Sequence, residues 1–338
     1  MLEPAARDNP EAWEPEPFRP AHGLRGPHAQ TLAGKILRSR SRLLVKRERL
    51  DTPDGDFLDL DFAQTHLPDS APCALLLHGL GGSSESGYMR RTGAELKVRG
   101  IRSVALNFRS ASGEPNRMVR SYHSGETGDL AFVLRYLQDR FPSASLGAVG
   151  FSLGGNVLLK FLAEQSQAPN CPLRAAASVS VPFGLAASSE ALEHGGGGLY
   201  GKMFLRSLKR CLKAKSRLFP NAYDMAGGLA ARTVWEFDER ITAPVHGFRD
   251  AADYYAQSSS GPRLHQIRIP SLLLLAADDP FVPRESVPTD GIAGNKMLTF
   301  AYTEYGGHLG FVDRPGRQSD FWCDREAARF LAARLAYT

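Results

Sequence analysis

One short stretch constrains the fold more than any other. An apolar run at residues 146–149 leads into Gly150-Phe151-Ser152-Leu153-Gly154, and a helix-like run at 156–162 follows. Strand, sharp turn and helix is the setting in which G-x-S-x-G forms a nucleophile elbow. Its glycines permit a strained turn that pushes Ser152 out from the end of a sheet. The helix behind it aims its N-terminal dipole and backbone N–H groups at the same spot. The five-letter pattern is common by chance, so its weight depends on what the rest of the chain supplies.

The rest supplies an alternation of strands and helices. Two antiparallel strands are expected at 43–50 and 57–62, separated by the turn Thr52-Pro53-Asp54-Gly55. Short apolar runs at 73–77, 101–106, 146–149, 175–181, 272–276 and 297–302 read as strands buried on both faces. Helices are expected at 88–98, 128–137, 156–162 and 320–335. This rhythm predicts an α/β-hydrolase fold, a mostly parallel central sheet flanked by helices. Between about 184 and 262 the rhythm breaks, with no strong strand, a flexible run Gly195 to Gly198 and a basic amphipathic stretch. The expected organisation is a loosely ordered, proline-rich leader at 1–20, a core at 21–183 and 263–338, and an inserted helical cap at 184–262.

A serine hydroxyl is a weak nucleophile at neutral pH and needs a base, with a third group to orient that base. In this fold the chain order is Ser, then Asp or Glu, then His. Of the nine histidines, only His308 follows every plausible acid, in the glycine-flanked loop Tyr305-Gly306-Gly307-His308-Leu309-Gly310. The acid should leave the preceding strand, where Ala277-Asp278-Asp279-Pro280 offers two candidates. Neighbours in an extended chain point to opposite sides, so one of the two faces His308. Asp279 is the expected member, because Pro280 biases it toward an extended backbone. Asp278 is expected to brace the loop. The oxyanion hole needs two N–H donors. Leu153 and Leu80 are the expected ones, the latter in His78-Gly79-Leu80-Gly81-Gly82. The same glycines could cradle a phosphate, but the G-K-[ST] ending of such a loop is missing. His78 is expected to brace this loop. The chemistry needs no cofactor and no metal.

Several stretches resemble the YheT-like, embryogenesis-associated-protein-like α/β-hydrolases. They are Pro27-His28-Ala29-Gln30-Thr31, His78 to Gly82, Asn107-Phe108-Arg109, Ser112 to Asn116, Tyr122-His123-Ser124-Gly125, Gly150 to Gly155, Asp278-Asp279-Pro280-Phe281 and Gly306-Gly307-His308. Gly26 and Ala29 stand where relatives tend to have Asn and Leu. The resemblance covers the chain from about residue 18 onward. It implies a carboxylesterase or acylglycerol-lipase-like enzyme, with some relatives acting on phospholipids, and places the triad on Ser152, Asp279 and His308. Arg109, Tyr122 and His123 lie at the active-site end of the sheet. They either contact substrate or form a hydrogen-bonded scaffold behind the oxyanion wall. Phospholipid or thioester hydrolysis on the same triad, and a non-catalytic binding role, stay open.

The net charge of +5 over 338 residues is mild, and no nucleic-acid motif accompanies it. The four cysteines form no C-x-x-C and read as free thiols in a reducing compartment. The acidic, proline-rich start lacks the features of a signal peptide, so a cytoplasmic location is expected. Lys202, Arg206, Lys209, Arg210, Lys213, Lys215 and Arg217 interleave with Phe204, Leu205, Leu208, Cys211 and Leu212 at helical spacing. Such a helix either lies on an anionic membrane surface or roofs a pocket with its charges in water. The expected partner is a small acyl ester or lipid substrate.

Overall fold

The computed structural model describes residues 13–38, 43–165, 171–314 and 320–336. Eight strands form the central sheet in the order β1-β2-β4-β3-β5-β6-β7-β8. They are β1 (Val45–Asp51), β2 (Phe57–Ala63), β3 (Cys73–Leu77), β4 (Arg102–Asn107), β5 (Leu146–Phe151), β6 (Leu173–Val179), β7 (Ser271–Ala276) and β8 (Leu298–Thr303). β2 is antiparallel to both β1 and β4, and every other pair is parallel. The six residues of β5 and of β7 are buried throughout, as strands covered on both faces must be. α3 (Gly128–Arg140) and α4 (Leu153–Glu164) pack on one face. α2 (Gly87–Val98) and the C-terminal helix Trp322–Leu335 cover the other.

The strand ending near 181 stops two residues early, at Val179, because Ser180 turns to φ 52°. A helix that the strand–helix rhythm did not indicate, α1 (Pro27–Arg38), opens with Pro27 at its first position, where a missing N–H is harmless. Residues 1–12 of the expected leader lie outside the described residues. Its last part needs correcting, since it is not loose. Trp13 packs edge-on against Phe330 with ring centroids 5.2 Å apart, and the Glu16 N–H donates to Glu326 at 3.0 Å. Phe18 meets both Phe311 and Trp322.

From Leu185 to Gln266 every regular element is helical. α5 (Leu185–His194) and the 20-residue α6 (Leu199–Leu218) lead this segment, and a π-helical turn, Asp238–Thr242, interrupts its second half. The segment is fastened to the loop after β4 by side chains that donate to main-chain oxygens. Lys215 reaches the carbonyls of Asn116 (3.2 Å) and Met118. The Tyr223 hydroxyl reaches Val119 at 2.7 Å, and a His246 ring nitrogen reaches Ser121 at 3.1 Å. Lys215 was grouped by sequence with solvated bases, but it is buried. It sits on the helix face opposite Arg206 and Arg210, and burial lowers its pKa to about 8. Among the described residues no helix is long and apolar enough to cross a membrane.

Candidate active site

Ser152 sits at the end of β5 with φ 51° and ψ −120°, a backbone conformation that costs an L-residue about 1–3 kcal/mol. The surrounding glycines over-determine it. A Cβ on Gly154 would stand 2.5 Å from the Leu77 carbonyl oxygen, and one on Gly150 would stand 2.5 Å from that of Gly154. Strand and helix therefore cross too closely for any side chain there, and Ser152 is forced outward at the turn.

His308 Nε2 lies 3.0 Å from Ser152 Oγ, and Nδ1 lies 2.9 and 3.1 Å from the two carboxylate oxygens of Asp279. A carboxylate only accepts, so Nδ1 carries the proton and donates to Asp279. Nε2 is left as the acceptor facing the serine hydroxyl. The Asp279 carboxylate is held in turn by the Phe281 N–H at 2.9 Å. Asp278 points the other way and accepts the Gly307 N–H at 2.8 Å. Burial raises its pKa, and its second oxygen has no partner among the described residues. His308 and Asp279 are both buried, while Ser152 is partly open to the cavity in front of it.

The histidine loop is clamped by α1. The His308 N–H donates to Thr31 Oγ1 at 2.9 Å, and Gln30 exchanges two hydrogen bonds with the main chain of Val312. Gly307 at φ 57° approaches the Pro27 carbonyl so closely that a Cβ would lie 2.4 Å from it. Sequence reasoning tied the Pro27-to-Thr31 block to a family without giving it this task. No sequence signal gives it, because the burial of Gln30 emerges only in the fold.

The loop after β3 has nearly all its N–H groups committed. Gly79 donates to Tyr88 Oη, Gly81 to Tyr122 Oη, Gly82 to the Gly79 carbonyl, Ser83 to Ser86 Oγ and Ser84 to Asn107 Oδ1, all at 3.0 or 3.1 Å. Leu80 alone of residues 79–84 keeps an N–H without a partner among the described residues. The Leu153 N–H is at the first turn of α4, where no acceptor exists inside the helix. The loop after β3 and the turn at Ser152 pack closely, since a Cβ on Gly79 would stand 3.2 Å from Ser152 Cβ. His78 is fully buried. Its Nδ1–H donates to the Gly79 carbonyl and its Nε2 accepts the Phe108 N–H. Burial pushes its pKa down to about 4, so it is a neutral brace at pH 7.

The three residues held open as substrate contacts divide. Arg109 takes the scaffold alternative and not the substrate contact: it is buried away from the cavity, with its guanidinium bridging Asp54, Asp56 and Asp129 at 2.7–2.8 Å. Two buried carboxylates, Asp56 and Asp129, and the exposed Asp54 surround it, and their scatter over residues 54–129 hides this from sequence. Tyr122 and His123 do line the cavity. Tyr122 stacks on Phe108 and holds Gly81. His123 accepts the Gly125 N–H, and burial, reinforced by its neighbour His246, lowers its pKa to about 3.

The cavity in front of Ser152 and His308 holds about 180 Å³. Its walls are mainly apolar and come from the helical segment, with Leu185, Phe204, Leu208, Leu212, Phe237 and Ile241 prominent. At one wall Asp238 accepts hydrogen bonds from Thr242 and Tyr255, and burial without a cation pushes its pKa up to about 6.

Residues 75–315 match the alpha/beta hydrolase fold family. The chain is 37% identical over 323 residues to YheT of Escherichia coli (strain K12), covering 94% of each. It is 31% identical over 318 residues to human phospholipase ABHD3, covering 91% of this chain and 76% of that one. It is 30% identical over 297 residues to a monoacylglycerol lipase of Saccharomyces cerevisiae, covering 85% and 63%. Among solved structures, an esterase of Pyrococcus furiosus superposes with a TM-score of 0.56 at 16% identity, over 96% of this chain and all of that one.

Proposed function

The chain belongs to the α/β-hydrolase fold family, in its YheT-like, embryogenesis-associated-protein-like branch, and from that premise we propose a serine carboxylic ester hydrolase working through Ser152, His308 and Asp279. That it is an esterase- or lipase-type hydrolase follows from the family. The reading of its residues rests chiefly on one observation, the unbroken relay from Asp279 through both ring nitrogens of His308 to the Ser152 hydroxyl.

His308 takes the Ser152 proton at Nε2 as Oγ attacks the ester carbonyl. Asp279 holds the tautomer that leaves Nε2 free and stabilises the imidazolium that forms. The oxyanion of the tetrahedral intermediate lies against the N–H groups of Leu80 and Leu153. Each such donor is worth about a hundred- to a thousandfold in rate. The intermediate collapses as His308 returns the proton to the departing alcohol, leaving the acyl group on Oγ. Water, deprotonated by the same imidazole, attacks the acyl-enzyme and releases the acid. Residues 184–262 act as a cap whose apolar inner walls receive the acyl chain. The relatives named as a phospholipase and a monoacylglycerol lipase make lipid esters the first substrates to assay.

Turnover of p-nitrophenyl esters of increasing chain length, monoacylglycerol and phospholipid by wild-type protein and Ser152→Ala tests the reading. The alanine variant should lose about a millionfold in kcat. Undiminished turnover by the variant would overturn the scheme.

A further inference from the structure

We propose that the outer face of α6 docks the protein on an anionic lipid surface and so sets the helix that walls the acyl pocket against its substrate. The substrate-facing role rests on the function proposed above; the docking itself does not.

Between Glu193 and Asp224 the chain contains seven basic residues and no acid. Two of the seven are used internally: Lys215 is the buried clasp, and Lys209 donates to the carbonyls of Leu229 and Ala231. The other five, Lys202, Arg206, Arg210, Lys213 and Arg217, are exposed and have no hydrogen-bond or ion-pair partner among the described residues. At about 100° per residue, Leu199, Met203, Arg206, Arg210, Lys213 and Arg217 fall within an arc of about 80° along a helix about 30 Å long. Of these, Leu199 is 51% exposed and Met203 37%.

Unpaired cations held on one face repel one another, so their concentration there favours an anionic partner. The stripe is not purely ionic. Leu199 and Met203 stand at its N-terminal end; Leu218 (54% exposed), about 60° outside the arc, and Leu229 (37%), on the next short helix Met225–Ala230, are exposed as well. Phosphates of a nucleic acid reward only the charge. A lipid interface rewards the charge and the apolar side chains together. The opposite face of the same helix forms the pocket wall through Phe204, Leu208 and Leu212. One helix thus joins the proposed lipid-facing stripe to the wall of the cavity.

The test uses the full chain and vesicles of neutral phosphatidylcholine, with or without about 30 mol% phosphatidylglycerol as the anionic lipid. Each cation near an anionic surface contributes roughly fivefold in partitioning, so Arg206→Gln/Arg210→Gln/Lys213→Gln should bind about a hundredfold more weakly. Wild-type protein should sediment with the anionic vesicles at about 0.05 M salt, be released at about 0.5 M, and ignore the neutral vesicles. Hydrolysis of a water-soluble p-nitrophenyl ester should be unchanged in the triple variant. Ser152→Ala should bind vesicles like wild type, which separates failure of docking from failure of the catalytic reading. Absence of binding to anionic vesicles at low salt, equal binding by the triple variant, or retention on duplex DNA without vesicle binding would overturn the proposal.

Discussion

Replacing the two neighbouring aspartates with asparagine, one at a time, should separate them by about a thousandfold in kcat. In Asp279→Asn the Phe281 N–H keeps its acceptor at Oδ1, 2.9 Å away, so the new amide NH2 takes the Oδ2 position 2.9 Å from His308 Nδ1. An amide NH2 only donates, so Nδ1 must give up its proton and become the acceptor. The proton then resides on Nε2, 3.0 Å from Ser152 Oγ, where it blocks deprotonation of the nucleophile. Loss of the correct tautomer in a triad of this geometry costs about 10⁴ in kcat, or about 5.4 kcal/mol in the barrier. Asp278 has a different task. Asp278→Asn can keep its carbonyl oxygen on the Gly307 N–H and turn its NH2 into the position where the carboxylate oxygen already lacked a partner. Its cost should be confined to loop packing, about tenfold in kcat or less. The assay is steady-state hydrolysis of a p-nitrophenyl ester, with thermal melts confirming that both variants are folded. Equal losses, or a larger loss in Asp278→Asn, would refute the assignment.

Three further outcomes follow from particular contacts. Tyr122→Phe keeps the stacking on Phe108 but strips the Gly81 N–H of its acceptor, so kcat should fall about tenfold with KM little changed; parallel changes in KM would instead assign Tyr122 to ground-state binding. Arg109→Leu leaves Asp54, Asp56 and Asp129 without their shared cation and should cost about 3–5 kcal/mol in urea unfolding, an effect that mere surface pairing could not produce. Burial raises the folded pKa of Asp238 to about 6, so the favourable protonated form is fully present below the ordinary carboxylate range and is lost as pH rises through 6. Asp238→Asn should therefore be less destabilising at pH 7 than at pH 4, and unfolding free energies at the two pH values check the sign.

The sheet was legible because buried strands must be short apolar runs: β3 has the expected bounds of 73–77, and β7 begins one residue before the expected run at 272–276. As candidates, Ser152 was legible from the strained-turn motif, the aspartate pair from the end of its strand and the proline that follows, and His308 from chain order. What stayed hidden depends on contacts between distant residues. Thr31 meets His308 across 277 positions, and neither segment announces the other. Arg109 stayed open between substrate contact and loop scaffold because its three carboxylates are dispersed along the chain. Lys215 read as one more solvated base because composition records a charge but not the side of the helix on which it stands. The unpartnered state of the Leu80 N–H emerges only once the acceptors of its five neighbours are known.

The most direct test is covalent labelling with a fluorophosphonate, followed by peptide mass spectrometry. A single adduct on Ser152, lost in Ser152→Ala and slowed by about the same factor as turnover in Asp279→Asn, is the predicted result. Labelling at another residue, or full-length protein that stays unmodified while it hydrolyses esters, would contradict the account.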